Sequence, residues 1–251
     1  MKLVGCQWDI AWEDPDANYL RASELLSGVD ADLIVLPEMF STGFSMDVAK
    51  VAEGDPSSTE GFLSELGAVN GCASLGGLVR AGKEGQGYNE LIAFDSARAE
   101  LARYRKNRTF RFTGESDFYE RGAELAVFEW QGWKVAPLIC YDLRFPELFR
   151  RVTARGAELL VVIASWPTVR VDHWITLLRA RAIENLAYVM GVNRCGSDPN
   201  YEYPGRSVII DPWGEVVADA GSDEGLVTAE IDLNRVRDWR AEFSALEDLE
   251  G

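Results

Sequence analysis

The sequence is poor in histidine, in clustered cysteine and in long apolar runs. It holds one histidine, His173, and four cysteines that lie more than fifty residues apart, without a Cys-x-x-Cys pair. Zinc sites and disulfide frameworks use cysteine or histidine at short spacings, so the pattern argues against both and predicts free thiols. The longest apolar runs, near residues 33–36 and 159–164, are far too short to cross a bilayer. No membrane-embedded segment is therefore expected.

Positive charge is scarce as well. The chain carries 25 Lys and Arg against 41 Asp and Glu, a formal net charge of −16. Proteins that bind nucleic acid or anionic lipid usually have a basic face or a high pI, so neither partner is expected. The exception is residues 103–111, which hold five basic side chains. This cluster is either a solvated face or a focused positive site for a small anion.

Length and composition predict one α/β domain over residues 1–251. The chain is 47% hydrophobic and 26% charged, as is usual for a soluble globular protein with a single core. Residues 1–9 turn polar before a signal-peptide core could form, which predicts a cytoplasmic protein. The charged tail from about residue 234 is interpreted as a helix that docks on a partner.

Two segments repeat the order strand, helix, strand. The first is predicted as strand 2–8, helix 15–27 and strand 33–36, and the second as strand 134–140, helix 146–155 and strand 159–164. The matching order predicts two pseudo-symmetric βαβ halves in a four-layer α-β-β-α sandwich with two mixed sheets. Further strands are predicted at 73–80, 88–95, 100–105, 189–193, 207–211, 216–218 and 226–231, and further helices at 61–69 and 172–188.

Residues 133–147 join an apolar strand to a cysteine. Polar residues follow Cys140 at once, so its thiol is expected where a buried strand breaks into a turn at a sheet edge. A free cysteine is often buried and inert. As a nucleophile it would need a base, because a free thiol near pH 7 is only a few per cent thiolate.

The base is not expected to be histidine. His173 lies on a predicted helix outside any Cys-His protease motif, which disfavours a papain-like or caspase-like enzyme. Glu38 directly follows the buried strand 33–36, where open α/β sheets place their sites, and is the candidate carboxylate base. Lys106, inside the basic cluster, is the candidate electrophile. The alternatives are an exposed loop glutamate and an ordinary surface lysine.

These three residues resemble the pattern of the nitrilase superfamily of carbon–nitrogen hydrolases, marked by glutamate, lysine and cysteine in that order. They stand as Leu-Pro-Glu38-Met-Phe, Tyr-Arg-Lys106-Asn and Ile-Cys140-Tyr-Asp-Leu-Arg-Phe-Pro-Glu. Further similarity lies in Ala-Ser-Trp-Pro at 164–167, in His-Trp at 173–174, in residues 178–185 and in Asn-Arg at 193–194. The resemblance spans nearly the whole chain.

The resemblance implies hydrolysis of an amide through a thioester. Cys140 would attack the carbonyl carbon while Glu38 takes the thiol proton and returns a proton to the departing ammonia. The Lys106 ammonium and the backbone N–H of Tyr141 would hold the oxyanion, and water would then hydrolyse the thioester. No metal or organic cofactor is expected.

Near Lys106 the sequence departs from the family pattern at one position and allows more than one assignment at another. The family commonly has histidine two residues after the lysine, where this chain has Arg108; the arginine would either tune Lys106 or point into solvent. A second glutamate often orients the lysine and the substrate. It is assigned to Glu115, with Asp117 and Glu120 as competitors.

The cysteine motif, the Ser-Trp-Pro segment and the short C-terminus resemble the bacterial ω-amidase branch. Its members hydrolyse the terminal amide of 2-oxoglutaramate and 2-oxosuccinamate. The remote carboxylate of such substrates needs a cation, for which Arg144 is the first candidate and Arg108 and Arg111 the next. Arg144 could instead form a structural ion pair with Glu147 or Asp142. Three aromatic residues are predicted to line the substrate pocket: Phe44, Phe112 and Trp166. The alternative for each is ordinary core packing.

Other functions stay open. Deaminated-glutathione amidase shares the cysteine motif and would need room for a tripeptide. N-carbamoyl-amino-acid hydrolysis and nitrile hydrolysis belong to the same superfamily. A catalytically silent oligomeric scaffold is disfavoured because Glu38, Lys106 and Cys140 are all retained. The resemblance also implies a homodimer, to which Trp239 and Phe243 of the C-terminal tail could contribute.

Overall fold

The computed structural model describes residues 1–248. The helices are α1 (Pro15–Leu25), α2 (Val48–Val51), α3 (Ser58–Asn70), α4 (Glu115–Phe118), α5 (Pro146–Ala154), α6 (Val171–Asn185) and α7 (Leu233–Glu242). Short 3-10 helices lie at Arg111–Thr113, Cys140–Arg144 and Thr168–Arg170. The strands are β1 (Lys2–Gln7), β2 (Leu33–Val35), β3 (Ala73–Ala81), β4 (Gly87–Phe94), β5 (Glu100–Arg105), β6 (Tyr119–Glu120), β7 (Phe128–Trp130), β8 (Trp133–Ile139), β9 (Leu159–Ala164), β10 (Tyr188–Asn193), β11 (Cys195–Ser197), β12 (Glu202–Pro204), β13 (Val208–Ile210), β14 (Val216–Asp219) and β15 (Gly225–Glu230).

Two mixed sheets stack between two layers of helices, which confirms the predicted α-β-β-α sandwich. One sheet has the order β15-β1-β2-β3-β4-β5, with β6 beside β4, and the other the order β14-β13-β10-β9-β8-β7. In each sheet three central strands pair in parallel and the outer strands pair antiparallel, except that the short β6 is parallel to β4. Helices α1 and α3 cover the first sheet, and α5 and α6 cover the second.

The central strands β2, β9 and β10 are buried on both faces, which explains their unbroken apolar runs. Along β1, Leu3 faces the core between the sheets, whereas Val4 and Cys6 face the helix layer. The sheets approach each other closely at Gly5, where an added Cβ would lie 2.8 Å from the side chain of Val192 on β10. A larger residue there would push the two sheets apart.

Both predicted βαβ units are present. Strands β1 and β2 are parallel and joined by α1, and β8 and β9 are parallel and joined by α5. Asp14 caps α1 by accepting a hydrogen bond from the N–H of Ala17, and prolines at positions 15 and 146 open α1 and α5. The carboxyl ends of β2, β5, β8 and β9 therefore meet at one edge of the sandwich.

Some elements differ from the sequence prediction. Helix α6 ends three residues before the predicted residue 188, because Leu186 takes a left-handed conformation with φ of 46°. The hairpin of β11 and β12 was not predicted. The tail helix α7 packs on its own chain, where the guanidinium of Arg240 donates to the carbonyls of Ala157, Asn185 and Leu186. Within residues 1–248, no helix has both the length and the apolar character needed to cross a membrane.

Candidate active site

Glu38 is held where β2 ends. Strand β3 passes so close that a Cβ on Gly77 would lie 2.9 Å from the Cα of Glu38 and 2.7 Å from the nitrogen of Met39. Gly77 also donates its N–H to the carbonyl of Pro37 and accepts from the N–H of Phe40. Met39 follows with a left-handed φ of 46°, which turns the chain away sharply. The backbone thus fixes the Glu38 carboxylate at the sheet edge.

The carboxylates of Glu38 and Glu115 share one buried ammonium. Lys106 Nζ lies 2.9 Å from Glu38 Oε1, 2.9 Å from Glu115 Oε1 and 3.1 Å from Glu115 Oε2. Burial alone lowers the pKa of Lys106, but the two carboxylates outweigh it and hold this pKa well above its ordinary value. The lysine is therefore cationic at neutral pH.

Cys140 stands at the turn that ends β8. It opens a 3-10 helix in a left-handed conformation, with φ of 46°, which is uncommon for a residue other than glycine. Burial raises the pKa of the Cys140 thiol well above its ordinary value, the Glu38 carboxylate raises it further, and Lys106 opposes the rise. The resting group is consequently a neutral thiol, and a nucleophilic role would require a base beside it.

Asp142 ties this turn to the loop after Lys106. Its carboxylate accepts hydrogen bonds from the N–H of Ile139 at 3.1 Å, from the hydroxyl of Tyr104 at 2.7 Å and from the N–H of Arg108 at 2.9 Å. Burial raises the pKa of Asp142 to about 7. Because both strand ends bind one carboxyl group, the positions of Cys140 and Lys106 are coupled.

A narrow pocket opens above the thiol. Phe44 and Trp166 line it, as predicted, but Phe112 does not. The Phe112 ring is 79% exposed and stacks on Phe110, which takes the wall position instead. Phe112 lies in the 3-10 helix at residues 111–113, where its side chain faces solvent.

Two guanidinium groups line the same pocket. Arg144 lies 5.0 Å from the ring of Trp166 and donates to Nδ1 of His173 at 3.1 Å, and Arg170 lies 5.3 Å from the ring of Phe110. In the part of the chain that the structure describes, neither arginine forms an ion pair. Burial lowers the pKa of Arg144, and the charge of Arg170 acts in the same direction. The pocket therefore presents unneutralised positive charge.

The structural alternatives proposed for the arginines are resolved by their partners. Glu147 pairs with Arg108 at 3.0 Å at the surface, and Asp142 is occupied by the donors described above, so Arg144 has neither partner. Arg108 donates its backbone N–H to Asp142, and its guanidinium pairs with Glu147. Arg111 is exposed and lies outside the pocket.

The comparisons with known proteins agree with this geometry. The sequence model of the family described as Carbon-nitrogen hydrolase matches residues 3–241. The chain belongs to the carbon–nitrogen hydrolase family. This carbon–nitrogen hydrolase is 37% identical to a protein named 2-oxoglutaramate amidase from Bacillus subtilis, over 98% of this chain and 96% of that one. It is 38% identical to omega-amidase YafV from Yersinia enterocolitica, over 100% of this chain and 97% of the relative.

Solved structures show the same fold. The carbon–nitrogen hydrolase superfamily protein XC1258 from Xanthomonas campestris, solved with an arsenic adduct in its active site, is 34% identical with a TM-score of 0.95. That match covers 100% of this chain and 97% of the other. Nit3 from Saccharomyces cerevisiae, a nitrilase-superfamily member, is 29% identical with a TM-score of 0.89, over 97% and 94% of the two chains. The present chain is accordingly an enzyme of the amidase type.

The site of this carbon–nitrogen hydrolase brings together most of the residues predicted from sequence. Glu38, Lys106, Cys140 and Glu115 meet at one edge of the sandwich, whereas Glu120 bonds the hydroxyl of Tyr88 on the outer side of the first sheet. The ring of Tyr141 packs against Phe110 at 4.7 Å and Phe145 at 5.2 Å, which anchors the residue predicted to supply the oxyanion N–H.

Several residues at the site were not predicted from the sequence. Asn89 lies in the middle of a strand and donates to both carboxylates, Ser165 donates its N–H to Glu38 Oε2 at 2.8 Å, and Arg170 faces Arg144. Tyr201 and Tyr203 reach the pocket from the β11–β12 hairpin. Within the basic cluster at residues 103–111, Arg103 and Arg105 bind the buried Glu90 outside the pocket, whereas Lys106 lies in the site.

Proposed function

We propose that this enzyme hydrolyses the terminal amide of small anionic 2-oxo-acid monoamides, such as 2-oxoglutaramate and 2-oxosuccinamate. The products are the dicarboxylate and ammonia. The observation that carries the proposal is the pairing of Arg144 and Arg170, without ion-pair partners in the described chain, in the pocket that also holds the Cys140 thiol. The names of the similar amidases support the same substrate class.

The first step forms a thioester on Cys140. Because the thiol is neutral at rest, its sulfur attacks the amide carbonyl carbon as Glu38 takes the proton. The carbonyl electrons move onto oxygen, and the oxyanion is held by the Lys106 ammonium and the N–H of Tyr141. When the oxyanion collapses, the carbon–nitrogen bond breaks and Glu38 returns the proton to the leaving nitrogen, so that ammonia departs.

The second step returns the enzyme to its starting state. Water enters the place that ammonia left, and Glu38 removes its proton while the oxygen attacks the thioester carbon. The carbon–sulfur bond breaks, the carboxylic acid leaves, and the proton goes back to the sulfur of Cys140. Glu115 keeps Lys106 in place through both steps by accepting hydrogen bonds at 2.9 and 3.1 Å.

Arg144 and Arg170 bind the carboxylate at the far end of the substrate. A guanidinium matches a carboxylate with two parallel N–H donors, and the pocket wall of Trp166 and Phe110 keeps the two cations turned inward. The alternative substrate, deaminated glutathione, is separated from these monoamides by the comparison of ammonia release described below.

We also propose that the chain acts as one domain, as a homodimer and in the cytoplasm. A core that is continuous between the two sheets supports a single domain. Exposed aromatic surface near α7 supports self-association: Trp213 and Phe243 are partly exposed and both pack on Trp239. Four unpaired thiols suit a reducing compartment.

The proposed function is tested by ammonia release from purified protein. We expect rapid release from 2-oxoglutaramate and 2-oxosuccinamate, slow release from deaminated glutathione, and none from any of them with Cys140→Ala. Faster turnover of deaminated glutathione would overturn the substrate assignment, and unchanged turnover by Cys140→Ala would overturn the mechanism. Cys195→Ala is the matched control, since this buried thiol lies outside the pocket and its loss should leave turnover intact.

A further inference from the structure

Asn89 lies beneath both carboxylates of the site. Its side chain, on β4, is 1% exposed. Asn89 Nδ2 donates to Glu38 Oε1 at 2.6 Å and to Glu115 Oε1 at 3.1 Å. Lys106 Nζ donates to the same two oxygens, at 2.9 Å each. Two donors and two carboxylates therefore form a closed ring of four hydrogen bonds.

We propose that Asn89 is a positioning residue that orients Glu38 so that Oε2, and not Oε1, takes the proton of the Cys140 thiol. The inference rests on the proposed function, in which Glu38 is the base. It adds which oxygen acts and which side chain makes the choice.

The two oxygens of the Glu38 carboxylate accept different numbers of hydrogen bonds. Each carboxylate oxygen offers about two lone-pair directions. Oε1 already accepts from Asn89 and Lys106, so both of its directions are occupied. Oε2 accepts from the N–H of Ser165 at 2.8 Å, which leaves one direction open. Ser165 lines the pocket beside Cys140, so Oε2 lies on the side of the thiol.

The Asn89 amide is oriented with its nitrogen toward the two carboxylates and its oxygen away from them. Its Oδ1 is buried and has no hydrogen-bond partner within residues 1–248. If the amide group were flipped by 180°, Oδ1 would face the two carboxylates. The negative partial charge of Oδ1 would then be repelled by the carboxylate oxygens. The amide thus leaves its own acceptor unpaired in order to donate to Glu38 and Glu115. A buried unpaired acceptor is costly, and such groups collect where function constrains the side chain.

Glu38 and Glu115 are two carboxylates that share the same donors. Hydrogen bonds to the ionised form of a carboxyl group favour that form, whereas a neighbouring carboxylate disfavours it. By donating to both groups, Asn89 holds the two carboxylates side by side, each within reach of the Lys106 ammonium. Asn89 does not line the pocket, so its removal should change catalysis more than substrate binding.

The experiment compares Asn89→Leu, Asn89→Ser and wild type across pH. Asn89→Leu keeps the branching and the number of heavy atoms of the side chain and has no donor. We expect its kcat for 2-oxoglutaramate to fall by about tenfold or more and the acid limb of kcat/KM to move up by about one pH unit, with KM within about twofold. Asn89→Ser keeps one hydroxyl donor and should give an intermediate shift.

A matched control separates positioning from a loss of packing. Asn185 is also fully buried, donates its amide to a backbone carbonyl (Arg181 O, 2.9 Å) and leaves its Oδ1 unpaired, but it lies on α6 away from the carboxylates. Asn185→Leu should lower thermal stability and leave the acid limb in place. An unmoved acid limb in folded Asn89→Leu would overturn the proposal. If that variant does not fold, an unmoved limb in Asn89→Ser would do the same.

A second readout keeps this test independent of the substrate. Alkylation of Cys140 by iodoacetamide needs the same proton transfer to Glu38 and no amide cleavage. Its pH profile should move with Asn89→Leu in the same direction. If wild type released no ammonia from 2-oxoglutaramate, the substrate assignment would fail, while the alkylation profiles would still decide the role of Asn89.

Discussion

The exchange of Arg144 for methionine tests whether the pocket was built for an anion. Methionine keeps much of the apolar stem that packs on Trp166 and removes the guanidinium. A hydrogen bond to a charged group is worth about 1.5–3 kcal/mol. Arg170 would still face the substrate, so the loss should lie near the middle of that range. About 2 kcal/mol corresponds to an approximately 30-fold fall in kcat/KM for 2-oxoglutaramate, mostly through KM.

A neutral amide of the same length supplies the decisive comparison. Pentanamide places no charge near Arg144, so its kcat/KM should change by less than about threefold. Arg150→Met serves as the matched control, because Arg150 lies on α5 outside the pocket. Its guanidinium makes only a long ion pair, at 3.8 Å, with Glu184. Steady-state ammonia assays on both substrates give the two ratios. Equal losses for the anionic and the neutral amide would refute the carboxylate anchor and indicate a structural arginine.

Two further predictions concern the pocket wall and the nucleophile turn. Phe110→Ala should raise KM for 2-oxoglutaramate at least about fivefold, because the ring lines the pocket, whereas Phe112→Ala on the surface should leave KM unchanged; the opposite order would contradict the described wall. Burial raises the pKa of Asp142 from 3.8 to about 7, so the folded state holds this proton more tightly, and the group's contribution to the unfolding free energy is full below pH 4 and is lost as pH rises through 7. The unfolding free energy measured in urea should be lower at pH 8 than at pH 5 in wild type, and this difference should be smaller in Asp142→Asn. An equal difference in the two proteins would contradict the prediction.

The comparison of Arg108 with Arg144 shows why a motif cannot assign every charge. Both arginines are near the catalytic residues in sequence, and both were candidates for the substrate anion. In the structure Arg108 reaches Glu147 at the surface, whereas Arg144 turns over Trp166 into the pocket. The direction of a long side chain depends on neighbours from other elements. The spacing of residues within a motif does not specify those neighbours.

The sequence by itself determined most of the strands and the residues that follow β2, β5 and β8. Apolar runs of strand length that stop at a polar residue report burial and termination, which are local properties, and so Glu38, Lys106 and Cys140 could be found without a structure. The order of these three residues was also sufficient for the family. The repeated βαβ order was enough to predict the layering of the sandwich.

Only the tertiary structure decided which further groups complete the site. Asn89 stands 51 positions after Glu38 in a strand whose pattern reports nothing but burial. Arg170 and Tyr203 arrive from a 3-10 helix and an unpredicted hairpin. Their meeting depends on strand register and on how one sheet crosses the other. Those are relations between distant parts of the chain, and no window of sequence contains them.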